Sequence, residues 1–273
     1  MSQHHNLEQW EAEWRTRLGA FLAEQGKVIL RGRDLHTDLD DQQWMALLAF
    51  AITGRDFSAG QLALMEGLWK LAASYPDPRL WNNRIAALAG TTRSTANLGL
   101  AAGLAASDAS VLGHRPDLGA FEFITRMLAE IRSGGDLESL VLAALDERRV
   151  LPGYGRPVRT QDERIDPIMK IANRFGLTGG PHTELAFEIE KVLIKNRRRI
   201  RINIAAVSVA LWADQGLSSK EYYYLSTPNF TIGILACHLD ASDHPAGSFF
   251  PLRCTRIDYE GPQARAWQTS PIE

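Results

Sequence analysis

Residues 94–106 read STANLGLAAGLAA, a stretch rich in alanine, glycine and leucine that carries no charge. This stretch predicts a fully buried helix whose small residues allow close contact with neighbouring helices. A second segment, from Asn203 to Asp214, is apolar on most sides and predicts another buried helix. A helix that is apolar all round has to be covered by other elements, so the fold class depends on what surrounds these two.

The surrounding sequence predicts a succession of further helices. Capping boxes at 58–61 and 218–221 mark two helix starts. Lys27–Leu30 and Arg256–Tyr259 have the pattern of strands, and a loop is predicted from Ser107 to Leu118. Because strands and helices do not alternate, the predicted fold class is all-α. The i, i+3, i+4, i+7 spacing of a helical face is seen first at Trp44, Leu47, Leu48 and Ala51.

The composition is that of an ordinary globular protein. The 273 residues are 45% hydrophobic and 23% charged, which excludes disorder over most of the chain. The net charge of −2 argues against a nucleic-acid partner, and two cysteines are too few for a disulfide framework. With no signal peptide and no apolar run of about 20 residues, no membrane association is expected, and the expected location is cytoplasmic.

The common motifs of cofactor and metal chemistry are missing. The sequence has no G-x-x-x-x-G-K-[ST] and no G-x-G-x-x-G after a strand. No two of the 7 histidines stand at i, i+4 on one helix with a carboxylate partner, so no metal site is expected. The sequence therefore predicts no bound cofactor.

Two arginine-rich segments are candidates for an anion site. Residues 195–201 read KNRRRIR, and residues 152–164 read PGYGRPVRTQDER. The charge pattern of the first favours a solvated loop between two helices. In the second, glycines let the backbone approach a ligand closely, and the three arginines suggest an anionic one. A solvated Gly/Pro turn and an anion site are both open for this second segment.

Five segments, in order, resemble the citrate synthase family, and specifically its short citryl-CoA lyase branch. Each motif is weakly specific alone, but their order and spacing extend the resemblance over nearly the whole chain. They are the R-G-x-x-[IL] segment at 31–35, the P-G-F-G-H-x-V…D-P-R loop at 152–164, N-[VI]-D at 203–205, G-[LW]-x-A-H-x-x-E at 233–240, and the arginine-rich C-terminal segment at 251–267.

The resemblance implies an all-α protein with an active-site cleft between two helical domains. By position, residues 1–118 and 216–273 would form the large domain, and residues 119–215 the small one. It also implies a homodimer, or pairing with a homologous subunit, in which Arg253 or Arg256 reaches the partner's site. The family forms or cleaves a carbon–carbon bond between a coenzyme A ester and an oxo- or hydroxy-dicarboxylate. A coenzyme A ester is therefore the expected substrate or ligand.

Two of the family's catalytic positions are altered. Ala205 stands where the family has an aspartate that moves the methyl proton, and alanine cannot accept a proton. Arg156 stands at a histidine that polarises the keto carbonyl. An arginine can donate to an oxyanion, but it stays protonated and cannot exchange protons.

The family's other histidine has several candidates in this chain. Counting back from Glu122 places Asp117 at its position, whereas counting forward places Ser110 or Val111 there. His114 lies between them and takes the role if the loop carries an insertion. His114 and Asp117 are therefore the candidates for acid/base work, with Arg156 as the electrophile.

Ligand-binding positions are partly retained. Phe230 replaces a family arginine, and the run Tyr222–Tyr224 has no family counterpart, so one or two of its rings are predicted to pack in the core. The residues that the resemblance assigns to substrate or coenzyme A binding are Arg159, Arg164, Arg201, Asn203, Arg253 and Arg256.

Two functions follow from this combination of retained and altered residues. The first is an enzyme of the citrate synthase or citryl-CoA lyase type with altered catalytic groups. The second is a non-catalytic homologue that binds coenzyme A or a dicarboxylate as a sensor, or that serves as the partner subunit of an active paralogue.

Overall fold

The computed structural model describes residues 14–111, 113–148, 150–156, 161–248 and 253–265. Within these ranges the chain is all-α, as predicted, apart from one small sheet near the N-terminus. Two 3₁₀ turns, Thr227–Phe230 and Cys254–Arg256, lie on either side of the last helix. The helices are α1 (Trp44–Thr53), α2 (Ala59–Ala72), α3 (Trp81–Thr91), α4 (Ala96–Ser107), α5 (His114–Arg132), α6 (Leu137–Arg148), α7 (Ile165–Arg174), α8 (Pro181–Lys195), α9 (Ile204–Asp214), α10 (Ser219–Ser226) and α11 (Thr231–Asp243).

The sheet is antiparallel and contains the predicted strand Lys27–Leu30 as its centre. Its neighbours, Gly19–Leu22 and Arg33–Asp34, were not predicted from the sequence. The predicted strand Arg256–Tyr259 is wrong, because Arg256 closes a 3₁₀ turn and the residues after it have no regular structure. Ile257 and Tyr259 are exposed, and among the described residues this segment pairs with no strand.

Helix starts follow the predicted capping chemistry in two cases and differ in a third. Both capping boxes, at 58–61 and 218–221, are formed. The loop predicted from Ser107 to Leu118 is wrong in its second half, because α5 begins at His114. Pro116 does not prevent this early start, since the first turn of a helix leaves its N–H groups unbonded. Asp117 therefore lies in the first turn of α5.

The main core surrounds α9, which is buried along almost its entire length, as predicted. This helix packs against α5 and α8, and Trp212 is among the largest fully buried side chains. The same core continues through residues of α1, α2, α6, α7 and α10. The candidate residues His114 and Asp117 therefore lie on a helix that packs directly against this core.

The charge-free helix α4 is not fully buried, which corrects the prediction. One face packs tightly on α11, where a Cβ added to Gly99 would lie 2.5 Å from the His238 ring and one added to Gly103 would lie 2.9 Å from Ile234. The opposite face carries Leu98 and several alanines and is exposed. The absence of charge thus indicated an apolar surface, but it did not show whether the same chain covers it.

The helices α3, α4 and α11 pack on one another and have their own small cluster of buried residues at Ala87, Cys237 and Ala241. On the other side, α7, from the segment assigned to the small domain, packs against α2. The domain boundaries at 118/119 and 215/216 stay a prediction. In the described part of the chain, no helix combines the length and apolarity needed to cross a bilayer.

Candidate active site

The Gly/Pro loop at 152–156 is joined to the segment 201–203 by backbone pairing. Tyr154 forms an antiparallel bridge with Ile202, and the Gly155 N–H donates to the Arg201 carbonyl at 2.7 Å. Gly153 has a φ of 86° and lies so close to α9 that an added Cβ would be 2.6 Å from that of Ala206. The glycine is therefore required for the loop to reach the start of α9.

Asn203 holds this junction together. Its Oδ1 accepts from the Ala205 N–H at 2.9 Å and caps α9, while its Nδ2 donates to the Gly155 carbonyl at 2.8 Å. Arg201, the neighbouring candidate, is partly exposed and lies 4.0 Å from Glu190. Asn203 thus positions the loop that carries Arg156, and Arg201 lies at the edge of the same junction.

Arg156 and Arg164 are brought together by two carboxylates of their own loop, and we call these four residues the arginine–carboxylate network (Arg156, Asp162, Glu163, Arg164). Arg164 donates twice to Asp162, with both N–O distances at 2.8 Å. Arg156 donates to Glu163 at 2.6 Å, and its Nη1 lies 3.6 Å from Asp162. Both arginines therefore already have partners within the loop.

Asp162 is the buried centre of this network. Its side chain has no exposed surface, and it also accepts from the Ile204 N–H at 2.9 Å, at the first residue of α9. Burial alone would favour the neutral acid, but the hydrogen bonds from Arg164 and Ile204 outweigh it and lower the pKa of Asp162 to about 2. A permanently ionised Asp162 thus joins the loop, Arg164 and α9.

Asp117 lies in the first turn of α5, within reach of the Arg164 charge. Its carboxyl is 3.5 Å from the Tyr222 hydroxyl of α10. Burial raises the pKa of Asp117 to about 7, against the opposing effects of the Arg164 charge and the Tyr222 hydroxyl. Near neutral pH this carboxyl can therefore give up a proton or take one.

His114 is buried one turn before Asp117 and is held by aromatic rings. Its ring stacks on Tyr223 with centroids 4.8 Å apart, and Phe230 contacts it edge-on at 5.6 Å. Its Nε2 lies 2.6 Å from the Ser226 Oγ. Burial lowers the pKa of His114 to about 4, so the ring is neutral at pH 7.

The remaining candidates lie outside this cluster. Ser110 and Val111 are exposed, whereas His114 and Asp117 both contact α10, and Asp117 also lies within reach of the Arg164 charge. Arg253 and Arg256 are exposed at the C-terminal 3₁₀ turn. Arg159 lies outside the described residues.

Sequence reasoning missed several residues of the site. Of the three tyrosines, Tyr222 is buried, Tyr223 is partly buried and Tyr224 is exposed, which agrees with the prediction that one or two rings pack in the core. The contact of Tyr222 with Asp117 and that of Ser226 with His114 had no sequence signal, because α10 and α5 are distant in the chain. The sequence shows Asp162 and Glu163 as acids among arginines, but it does not show which arginine each of them pairs with.

The sequence model described as "Citrate synthase, C-terminal domain" matches residues 23–243. Among solved structures, citryl-CoA lyase from Hydrogenobacter thermophilus has a TM-score of 0.80 at 18% identity, with 93% of this chain and 97% of that chain covered. ATP citrate lyase from Methanothrix soehngenii, in complex with citrate and coenzyme A, has a TM-score of 0.73 at 16% identity, with 99% of this chain and 46% of that chain covered. Citrate synthase from Thermoplasma acidophilum, in a ternary complex with carboxymethyl coenzyme A and oxaloacetate, has a TM-score of 0.61 at 19% identity, with 84% of this chain and 60% of that chain covered. The comparison with curated proteins gives no match.

At identities of 16–19%, these structural likenesses establish the fold. The family is established by the sequence match over residues 23–243, which takes in the loop at 152–156, the start of α9 and both helices that carry Asp117 and Tyr222. The chain therefore belongs to the citrate synthase family and has the fold of citryl-CoA lyase.

Proposed function

We propose that this protein forms or cleaves a carbon–carbon bond between a coenzyme A ester and an oxo or hydroxy acid, using catalytic groups that differ from those of its family. The observation that carries the proposal is Asp117, a partly buried carboxyl beside Arg164 and Tyr222 that changes protonation near neutral pH. Family membership supplies the reaction class, and Asp117 supplies the proton-transfer group that Ala205 cannot.

Asp117 suits acid/base work better than His114 does. The His114 ring is fixed between Tyr223 and Phe230, and its Nε2 is engaged with Ser226. In the proposed reaction, ionised Asp117 takes a proton from the reacting acid or thioester and returns it later, and Arg156 donates to the carbonyl oxygen. His114 orients α10 against α5 and stays neutral.

The test is calorimetric titration of the protein with acetyl-CoA, oxaloacetate and citrate, with mass detection of products in the same samples. We expect binding and a new product. Asp117→Asn should lower turnover by about 10²-fold or more, because a positioned acid/base group is removed. Asp146→Asn, at an exposed aspartate of α6, is the control and should leave turnover unchanged. Equal turnover of the Asp117→Asn variant and the unaltered protein would refute the role of Asp117.

A non-catalytic homologue is the second candidate, and the arginine–carboxylate network favours it. Both guanidinium groups already have carboxylate partners, and Ala205 replaces the family's proton acceptor. Such a protein would bind a coenzyme A ester as a sensor, or would donate Arg253 or Arg256 to a homologous subunit. In the same titration it would show binding without any product.

We further propose that the exposed apolar residues of α4 and α11 bind a second copy of the chain. Leu98 is 63% exposed and Leu239 is 64% exposed, and Ile232 and Leu235 lie exposed on the same helix as Leu239. An apolar face of this kind is typical of a protein–protein contact. We expect a dimer by light scattering at micromolar concentration and a monomer for Leu98→Glu/Leu239→Glu. Val150→Glu, at an exposed apolar residue after α6, is the control, and a dimer that survives the double substitution would exclude this face.

A further inference from the structure

Glu163 is held in the arginine–carboxylate network far more loosely than Asp162. Its side chain is 54% exposed and contacts Arg156 at 2.6 and 3.4 Å. Asp162, in contrast, has no exposed surface, and its departure would leave both Arg164 and the Ile204 N–H without their partner. The pair of Arg156 and Glu163 can therefore open while the pair of Arg164 and Asp162 stays closed.

The charges of the network limit what an anionic ligand can gain from it. Two arginines face two carboxylates, so the network has no net positive charge to offer. A ligand carboxylate that replaces Glu163 on Arg156 keeps the balance, because one anion leaves as another arrives. Among the four residues of the network, a second ligand carboxylate would find both arginines occupied and would lie near the charge of Asp162.

Arg156 is suited to a carboxylate that lies next to a carbonyl. Its guanidinium already uses one nitrogen for both Glu163 and the Gln161 carbonyl, at 2.6 and 3.3 Å. When Glu163 leaves, the planar group can donate at once to a carboxylate oxygen and to the neighbouring keto oxygen of a 2-oxo acid.

We propose that Glu163 is a specificity-determining residue: it occupies Arg156 in the free protein and restricts the acid ligand to a single carboxylate, as in a 2-oxo monocarboxylic acid. This inference rests on the proposed function and narrows it, because the family resemblance implied a dicarboxylate. Glu163 thereby competes with the ligand for Arg156. One ligand carboxylate can replace it there, but its charge disfavours the binding of a second ligand carboxylate.

The experiment is calorimetric titration with pyruvate and with oxaloacetate, each in the presence of saturating acetyl-CoA, for the unaltered protein and for Glu163→Gln. We expect the unaltered protein to bind pyruvate at least about tenfold more tightly than oxaloacetate. In Glu163→Gln this preference should fall by about tenfold or more, because the competing charge is gone. Glu188→Gln is the matched control, since Glu188 is 50% exposed and holds Lys191 at 2.5 Å in a similar pair far along α8, and it should keep the preference.

Each of the other possible results refutes either the role of Glu163 or a part of the proposed function. Preferred binding of oxaloacetate by the unaltered protein, or an unchanged preference in a Glu163→Gln variant that melts at the same temperature, refutes the role of Glu163 and leaves the proposed function standing. Binding of acetyl-CoA with no binding of either acid to either variant refutes the role of Glu163 and the oxo-acid half of the proposed function. Absence of acetyl-CoA binding as well refutes the proposed function itself.

Discussion

Asp162→Ala is expected to lower the free energy of unfolding by about 3–5 kcal/mol at pH 7, the range for removal of one partner from a buried ion pair. The substitution leaves the Arg164 guanidinium without its two acceptor oxygens and the Ile204 N–H without its acceptor. The pKa of Asp162 is lowered to about 2, so its stabilising contribution is fully present above pH 4 and is lost as the pH falls through 2. The measurement is urea unfolding at pH 7.

Asp166→Ala is the control for this measurement, because Asp166 is exposed in the first turn of α7, four residues along the chain. It should cost at most about 1 kcal/mol, the size of a charge effect at a helix terminus. Asp162→Asn keeps an acceptor for Ile204 and should fall between the two. If Asp162→Ala costs no more than Asp166→Ala, then Asp162 does not hold the loop to α9.

Asp117 and His114 are expected to give the protein two opposing pH dependences of stability. The raised pKa of Asp117, about 7, means that the folded state keeps a proton that the unfolded chain loses, so stability falls from about pH 4 to pH 7. The lowered pKa of His114, about 4, means that the unfolded chain binds a proton that the folded state does not, so stability rises from about pH 4 to pH 6.5. Over that shared interval the two effects cancel.

Single substitutions should separate the two effects. At pH 8, Asp117→Asn should be more stable than the unaltered protein by at most about 4 kcal/mol, which corresponds to a shift of about 3 pKa units. The stability of this variant should rise with pH between 4 and 6.5, because only the effect of His114 is left. His114→Gln should instead lose stability as the pH rises through the same interval. Urea unfolding at pH 4, 5, 6, 7 and 8 gives the slope of stability against pH for each protein. The difference in stability between the double variant and the unaltered protein should not change with pH over the shared interval. Parallel profiles for all four proteins would show that neither group titrates as described.

The sequence predicted elements whose cause is local and missed those whose cause is distant. The capping boxes and the buried helix α9 depend on neighbouring residues or on composition, and both are present. The early start of α5 was missed because a loop-like run ending in Pro116 is also compatible with a first helical turn. The exposed face of α4 was missed because an apolar sequence does not show whether the same chain or another chain covers its surface.

The candidate site shows the same division. The family resemblance predicted that the loop at 152–164 and the start of α9 belong to one site, and the pairing of Tyr154 with Ile202 agrees with this. The partners of the charged groups could not be derived in the same way. The sequence presents Arg156 and Arg164 as arginines that could bind a ligand. In the folded chain, each forms an ion pair with an acid of the same loop.

The alanines on the outer face of α4 lower the entropic cost of any association there. Alanine has no side-chain rotamers to lose, whereas a long side chain gives up roughly 1.5–2 kcal/mol of conformational entropy when it is immobilised. Gly99 and Gly103 fix the position of this face by seating α4 directly on α11. A partner that binds there meets alanines with no side-chain rotamers to immobilise, so the side-chain part of the entropic cost of association is small.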